Sequence, residues 1–306
     1  MGDHERRLIA AEDTARGRGE RDDMISATGI VHGHYECRSL QQTVPILQEL
    51  LALDIVSELP GQVTMKHPNT DWLLVVHEGG PDAPDKPQFH HYGVRVATDR
   101  EVDNAYEYLL RRKKDLRLKI IPPETRRIAH SVHFFEPGGN FWEIESYEGG
   151  AKKLGLGGEA AFPWKSPLAT DRFPDRGYVP QALTHGTTTC ANLEKARRFY
   201  RSVLGLEVMH HLPTVDPYYV KHPLTPWYIV CLTAPQESRV PSGVNERFTL
   251  AVESNSAVVE AHDSLTASAA DLGIAEPGAI HNDSGSRSFL FNDPDGNTWE
   301  IVGSQI

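Results

Sequence analysis

Cysteine is scarce in this 306-residue sequence: Cys37, Cys190 and Cys231 are the whole set, and none stands in C-x-x-C spacing. That leaves no disulfide framework and no cysteine-rich zinc module, and it points to a reducing, cytoplasmic setting. Long apolar runs are lacking as well. No stretch approaches the roughly 18 residues that cross a bilayer, and the charged N-terminus has no apolar core of a signal peptide. Neither membrane insertion nor secretion is expected. Positive charge is in deficit, with 31 Lys and Arg against 42 Asp and Glu, a net charge of -11. Nucleic acid and anionic membrane are poor partners for such a surface.

What remains is the composition of a globular chain, 39% hydrophobic and 24% charged, long enough for two ordinary domains. Histidine is generous at 15 copies, and its distribution is uneven.

The chain repeats itself. Val31-His32-Gly33-x-x-x-Cys37-x-x-Leu40 returns as Thr184-His185-Gly186-x-x-x-Cys190-x-x-Leu193, 153 residues later. Lys66-His67-Pro68-x-Thr70-x-Trp72 returns as Lys221-His222-Pro223-x-Thr225-x-Trp227, at offset 155. Glu136-Pro137-x-Gly139-Asn140-x-Trp142-Glu143-Ile144 returns as Asp293-Pro294-x-Gly296-Asn297-x-Trp299-Glu300-Ile301, at offset 157. Three matches in one order with nearly constant offset mark a duplication.

Boundaries follow from composition. Residues 1–26 are dense in Arg, Glu and Asp and form a charged N-terminal tail. The first unit covers 27–150, a Gly- and Pro-rich linker covers 151–179, and the second unit covers 180–306. Within each unit the pattern reads strand, helix, strands, and then the same again. Thr98-x-x-Glu101 is a capping box that opens a helix carrying Val102, Ala105 and Leu109. Asn192 caps a helix with Ala196, Phe199 and Tyr200 on one face, and a counterpart helix begins near Ser254. Pro45 interrupts the first helical pattern, so that helix is expected to start near Thr43. Trp72–Val76 and Tyr228–Leu232 are apolar runs of strand length. His67 and His222 recur beside proline in both units, and Cys37 and Cys190 recur on core-facing strands, which argues for structural roles.

The segment Leu193-x-x-Ala196-x-x-Phe199-Tyr200-x-x-Val203-Leu204-Gly205-Leu206-Glu207, with Asp293-Pro294-Asp295-Gly296-Asn297-x-Trp299-Glu300 downstream, resembles the vicinal-oxygen-chelate superfamily. That superfamily groups glyoxalase I, the bleomycin- and fosfomycin-resistance proteins and the type I extradiol dioxygenases. The resemblance implies an α+β fold of tandem paired βαβββ modules, in two domains of two modules each, with a cupped sheet around a pocket. It also implies metal ligands on the first strand of each paired module and on the last strand of the second. In the first unit those places hold His32, His91 and Glu143. Two imidazoles and a carboxylate with open positions suit non-haem Fe(II), and Mn(II) is the alternative such a set admits.

The second unit keeps His185 and Glu300 but aligns Thr249 with His91, Thr187 with His34, Leu232 with His77 and Leu290 with His133. Its metal site is therefore expected to be degenerate. This inverts the two-domain extradiol enzymes, which keep their metal in the C-terminal domain. His133 stands ten residues before Glu143, where the extradiol signature has a substrate-binding Tyr. His77 falls where the family places its catalytic base, and strand alternation turns His34 toward the same pocket. The implied activity is Fe(II)-dependent cleavage of a catechol- or hydroquinone-like ring by O₂, in a homo-oligomer. Two alternatives stand beside it: a metal-dependent glyoxalase-type isomerase or lyase, and a small-molecule binding protein of the resistance kind. The first generally uses a fourth ligand, a carboxylate on the last strand of the first module, and Trp72–Val76 offers none.

Overall fold

The computed structural model describes residues 23–86, 90–126, 128–154, 173–209, 218–235 and 245–304. Most of the expected tail (1–22) and the middle of the expected linker (155–172) lie outside them. Four βαβββ modules follow one another along the chain. The first comprises β1 (Ala27–Cys37), α1 (Leu40–Leu51), β2 (Asp54–Leu59), β3 (Gln62–Lys66) and β4 (Leu73–Glu78). The second has β5 (His91–Arg95), α2 (Asp99–Arg112), β6 (Lys119–Arg126), β7 (Ala129–Phe135) and β8 (Phe141–Ser146), followed by a short α3 (Glu148–Leu154). The third has β9 (Ala182–Cys190), α4 (Leu193–Ser202), β10 (Glu207–Met209), β11 (Tyr218–Lys221) and β12 (Tyr228–Thr233). The fourth has β13 (Arg247–Val252), α5 (Asn255–Leu272), β14 (His281–Asp283), β15 (Ser286–Asn292) and β16 (Thr298–Gly303). No described helix is long and apolar enough to cross a membrane.

Local chemistry sets the helix starts. The Thr98 hydroxyl accepts from the Glu101 N–H, and the Glu101 carboxylate accepts from the Thr98 N–H at 3.1 Å, a reciprocal capping box. Asn192 and Ser254 cap α4 and α5 through their side-chain oxygens. Helix α1 departs from expectation. It starts at Leu40, three residues early, with Pro45 inside it. Pro45 removes one N–H from the helical ladder, but burial of Thr43, Val44, Ile46, Leu47, Leu50 and Leu51 holds the turn before it.

The modules pair across the duplication. One eight-stranded sheet runs β14-β15-β16-β13-β1-β4-β3-β2, and the other runs β10-β11-β12-β9-β5-β8-β7-β6. The first module therefore shares a sheet with the fourth, through antiparallel β1 and β13, and the second shares one with the third, through antiparallel β5 and β9. Two eight-stranded units of two modules each are present, as expected, but each draws one module from either half of the sequence.

The sheets meet in an aromatic layer. Trp72 and Trp227, equivalent in the repeat, stack with ring planes 2° apart and centroids 6.4 Å apart. Tyr92 packs on Trp72, Trp142 and Phe248, and its hydroxyl donates to the His34 carbonyl at 3.0 Å. A Cβ on Gly33 would lie 2.6 Å from the Tyr92 ring, and one on Gly186 would lie 2.7 Å from Phe248, so the approach is open to glycine alone. His67 and His222 are buried and bond the carbonyls of Pro180 and Ala27, each in the opposite half of the chain. The three cysteines are buried and unpaired, consistent with packing.

Candidate metal centre

In the second sheet, strand alternation separates two kinds of side chain. Tyr92, Val94, Val132, Phe134, Trp142 and Ile144 join the core with Val102, Ala105 and Leu109 of α2. The intervening residues therefore face away from the helix. His91, Gly93 and Arg95 on β5, Glu143 and Glu145 on β8, and His133 on β7 share that face, because Gly93 pairs with Glu143 and Glu143 with His133. β9 would put His185 on the wrong side if it ran regularly. Val94 pairs with Leu183 and Gly93 with His185, so Thr184 is an extra residue, and this bulge turns His185 onto the same face.

The geometry centres on one carboxylate. His91 Nε2 and His185 Nε2 each lie 3.1 Å from the same oxygen, Glu143 Oε2. His133 Nε2 lies 3.3 Å from the other, Oε1. His91, His133 and Glu143 hold their ligating atoms within 4.8 Å of one another, as do Glu143, Glu145 and His185. Burial pushes the Glu143 carboxyl up, but His133, His185 and His91 outweigh it and hold it well below the ordinary range. Burial also works against a charged His185, yet Glu145 and Glu143 prevail and raise it to about 9. His91 remains below its usual value because burial exceeds the pull of Glu143. Two imidazoles on one carboxylate oxygen form an N₂O donor set of the kind that holds a first-row divalent ion, so the residues fit a metal.

This brings together His91, Glu143 and His133 of the predicted site, with His185 as the second imidazole. It does not bring His32. His32 lies on the first sheet, paired with Thr249 and Leu73, where an extra residue at Val31 repeats the bulge of β9. His34 and His77 stand on that sheet too. The expected set His32, His91, Glu143 is therefore not brought together; the first-strand imidazole that joins His91 at Glu143 is His185. These are first-strand histidines of two modules that share a sheet, the places the resemblance implies for ligands, but the sharing modules are the second and third. His77 accordingly does not face this carboxylate. His34 does not face it either, although it lines a pocket between the sheets with Arg247 on one side and His91, Phe141 and Thr187 on the other.

The equivalent place on the first sheet is closed by a cation. Glu143 pairs with Gly93, two residues past His91, and Glu300 pairs with Thr249, two residues past Arg247. Arg247, not Thr249, therefore occupies the position of His91. Its Nε lies 2.9 Å from Glu300 Oε2, and the Thr249 hydroxyl donates to the same oxygen at 2.8 Å. His34 bonds Thr249 through Nε2 and His77 through Nδ1, both at 3.0 Å. Burial lowers His32 and His34, and burial together with Arg247 lowers His77 to about 4. All three shifts favour the neutral imidazole beside an internal ion pair.

Three residues of the candidate site escape the sequence reading. His185 was visible in the Thr-His-Gly repeat but was assigned to the degenerate site. Glu145 and Arg95 had a signal of their own: charges inside otherwise apolar strands, which are buried to 2% and 1% exposure.

Residues 29–144 match the glyoxalase/bleomycin resistance protein/dioxygenase superfamily, and residues 185–302 match a glyoxalase-like domain. Among solved structures, a putative dioxygenase from Bacillus subtilis subsp. subtilis str. 168 is 13% identical, with TM-score 0.59 over 92% of this chain and 87% of that one. Glyoxalase I from Zea mays is 14% identical, with TM-score 0.61 over 90% and 92%. At such identity the likeness is one of fold. A comparison with curated proteins finds no match.

Proposed function

The chain belongs to the glyoxalase/bleomycin resistance protein/dioxygenase superfamily, and from that premise we propose that it is a non-haem Fe(II)-dependent ring-cleaving dioxygenase acting on a catechol- or hydroquinone-like aromatic. The observation that carries this is the convergence of His91 and His185 on one oxygen of Glu143 at 3.1 Å each. Such a two-histidine, one-carboxylate set leaves coordination positions for both substrate and O₂. β12, the last strand of the partner module, presents Tyr228 and Val230 to this face, opposite His185 and Thr187. Neither is the fourth carboxylate that a glyoxalase-type isomerase generally uses. Glu145 is no substitute, since it lies on the Nδ1 side of His185 and is held by Arg95.

His91, His185 and Glu143 would hold Fe(II), which would supply Lewis-acid and O₂-activating chemistry, both oxygen atoms of O₂ ending in the opened product. The protein's own part is positioning and proton handling. Phe141 lies against His91 and His133 and contacts Phe135 at 4.5 Å, an aromatic wall suited to a planar ring. His133 carries a raised pKa, because Glu143 outweighs the cost of burial. Its Nε2, 3.3 Å from Glu143 Oε1, is the group we assign to donate to, or take a proton from, a phenolic oxygen bound beside Glu143. His34, across the pocket, is a further substrate contact.

Oxygen uptake tests this. Protein loaded anaerobically with Fe(II) should consume O₂ stoichiometrically with a catechol or hydroquinone from a substituted panel, and Glu143→Ala should lose at least about a hundredfold in rate. Turnover of a hemithioacetal without O₂ would instead identify an isomerase. Tight binding of an aromatic with no metal and no turnover would identify a binding protein.

A further inference from the structure

His185 is clamped on three sides. Its Nδ1 lies 3.3 Å from Glu145 Oε1 and 3.2 Å from the Thr184 hydroxyl, and its ring stacks on Tyr228 with planes 9° apart. Beneath it is Gly93, where a Cβ would sit 2.0 Å from the imidazole Cε1. Nε2 alone is left to face Glu143.

Behind that clamp is a buried polar network. Arg95 binds Glu145 Oε1 through Nε at 3.0 Å and a terminal nitrogen at 2.7 Å. The same nitrogen donates to the Tyr228 hydroxyl at 2.7 Å, and that hydroxyl meets Tyr147 at 3.0 Å. Arg95 also stacks on the Tyr147 ring at 3.5 Å. Taking an ion pair this far from water is costly, and apolar residues of similar volume usually stabilise a fold as well or better. The first sheet demonstrates the apolar solution. By strand register, Ala251 stands in the place of Arg95, Val302 in that of Glu145 and Leu73 in that of Tyr228. The ion pair is present only behind the face whose ligand set is complete.

We propose that Glu145, held by Arg95 and Tyr228, is the positioning residue of the metal centre: it accepts the Nδ1–H of His185, so that an ion displacing the proton between Nε2 and Glu143 meets the Nε2 lone pair already aimed at it. The inference rests on the metal reading of His91, His185 and Glu143. A carboxylate in this role strengthens a histidine ligand, and its loss typically costs 10–100-fold in metal affinity.

Co(II) titration of the metal-stripped full chain, followed by its visible d–d bands, tests it. Wild type should bind one Co(II). Glu145→Gln should remain folded by circular dichroism, bind Co(II) about 10–100-fold more weakly and show altered band intensities. Unchanged affinity and spectrum would overturn the positioning role while leaving the metal site intact. Failure of wild type to bind Co(II) would overturn both. A measurement on wild type alone covers the case in which the variant does not fold. In ¹⁵N-histidine spectra of the Zn(II)-loaded protein, His185 should show a protonated Nδ1 with the metal on Nε2. Metal on Nδ1 would refute the assignment.

Discussion

A single carboxylate, Glu143, is shared by three imidazoles, whereas the corresponding carboxylate on the other sheet, Glu300, is shared by an arginine and a threonine. That difference is three residue identities deep: Arg247 for His91, Thr249 for Gly93 and Leu290 for His133. Arg247 brings a fixed positive charge to the place of His91, and a guanidinium beside Glu300 disfavours a second cation there. Arg247→His should therefore open a second site. Co(II) stoichiometry is expected to rise from one to two per chain, and to one in the Arg247→His, His91→Ala double variant. Stoichiometry unmoved by Arg247→His would mean that something other than Arg247 closes that face. His77 supplies a pH prediction at the same scale. Its folded pKa, about 4, is depressed below the ordinary histidine value of about 6.5 by burial first and Arg247 second. Above the unfolded value neither state binds the proton, so the full stability is present. As pH falls from about 6.5 toward 4 the unfolded chain takes the proton and the folded chain does not, and stability is lost. His77→Gln should flatten the fall of the melting temperature across that window. Equal slopes for both proteins would contradict it.

At the level of elements, the helices were legible and the bulges were not. Thr98 and Glu101 announce α2 because the capping box is a local interaction, complete within four residues. Thr98→Ala should cost about 1 kcal/mol in urea unfolding, a loss confined to the cap. A change under a few tenths would show that tertiary packing alone fixes that helix start. The extra residues Val31 and Thr184 leave no comparable mark. Each sits in a run of strand-forming residues, and whether a strand bulges is decided by the partner it meets, β13 for β1 and β5 for β9. The two-residue slip that matched Thr249 with His91 has the same origin. Strand alternation repeats every two residues, so shifting Arg247–Val252 by two preserves every inward and outward choice. Only pairing with Glu300 fixes the register.

For the whole molecule, the repeat revealed the number of modules but not which of them share a sheet. Consecutive modules one and two could pair, as could two and three, because β1, β5, β9 and β13 carry equivalent edges. Contacts far apart in sequence settle the choice: Trp72 on Trp227, Gly33 against Tyr92, and His67 and His222 each bonded to the other half's backbone. Crossed pairing makes the candidate metal centre a joint product of both sequence halves. His91 and Glu143 come from one and His185 from the other, so neither half alone carries the proposed ligand set.

Metal content of three variants tests that claim most directly. After reconstitution with Fe(II) and removal of unbound ion, wild type and His32→Ala should each retain about one metal per chain, and His185→Ala should retain none. Loss of metal in His32→Ala with retention in His185→Ala would contradict the crossed site and place the centre within the N-terminal half.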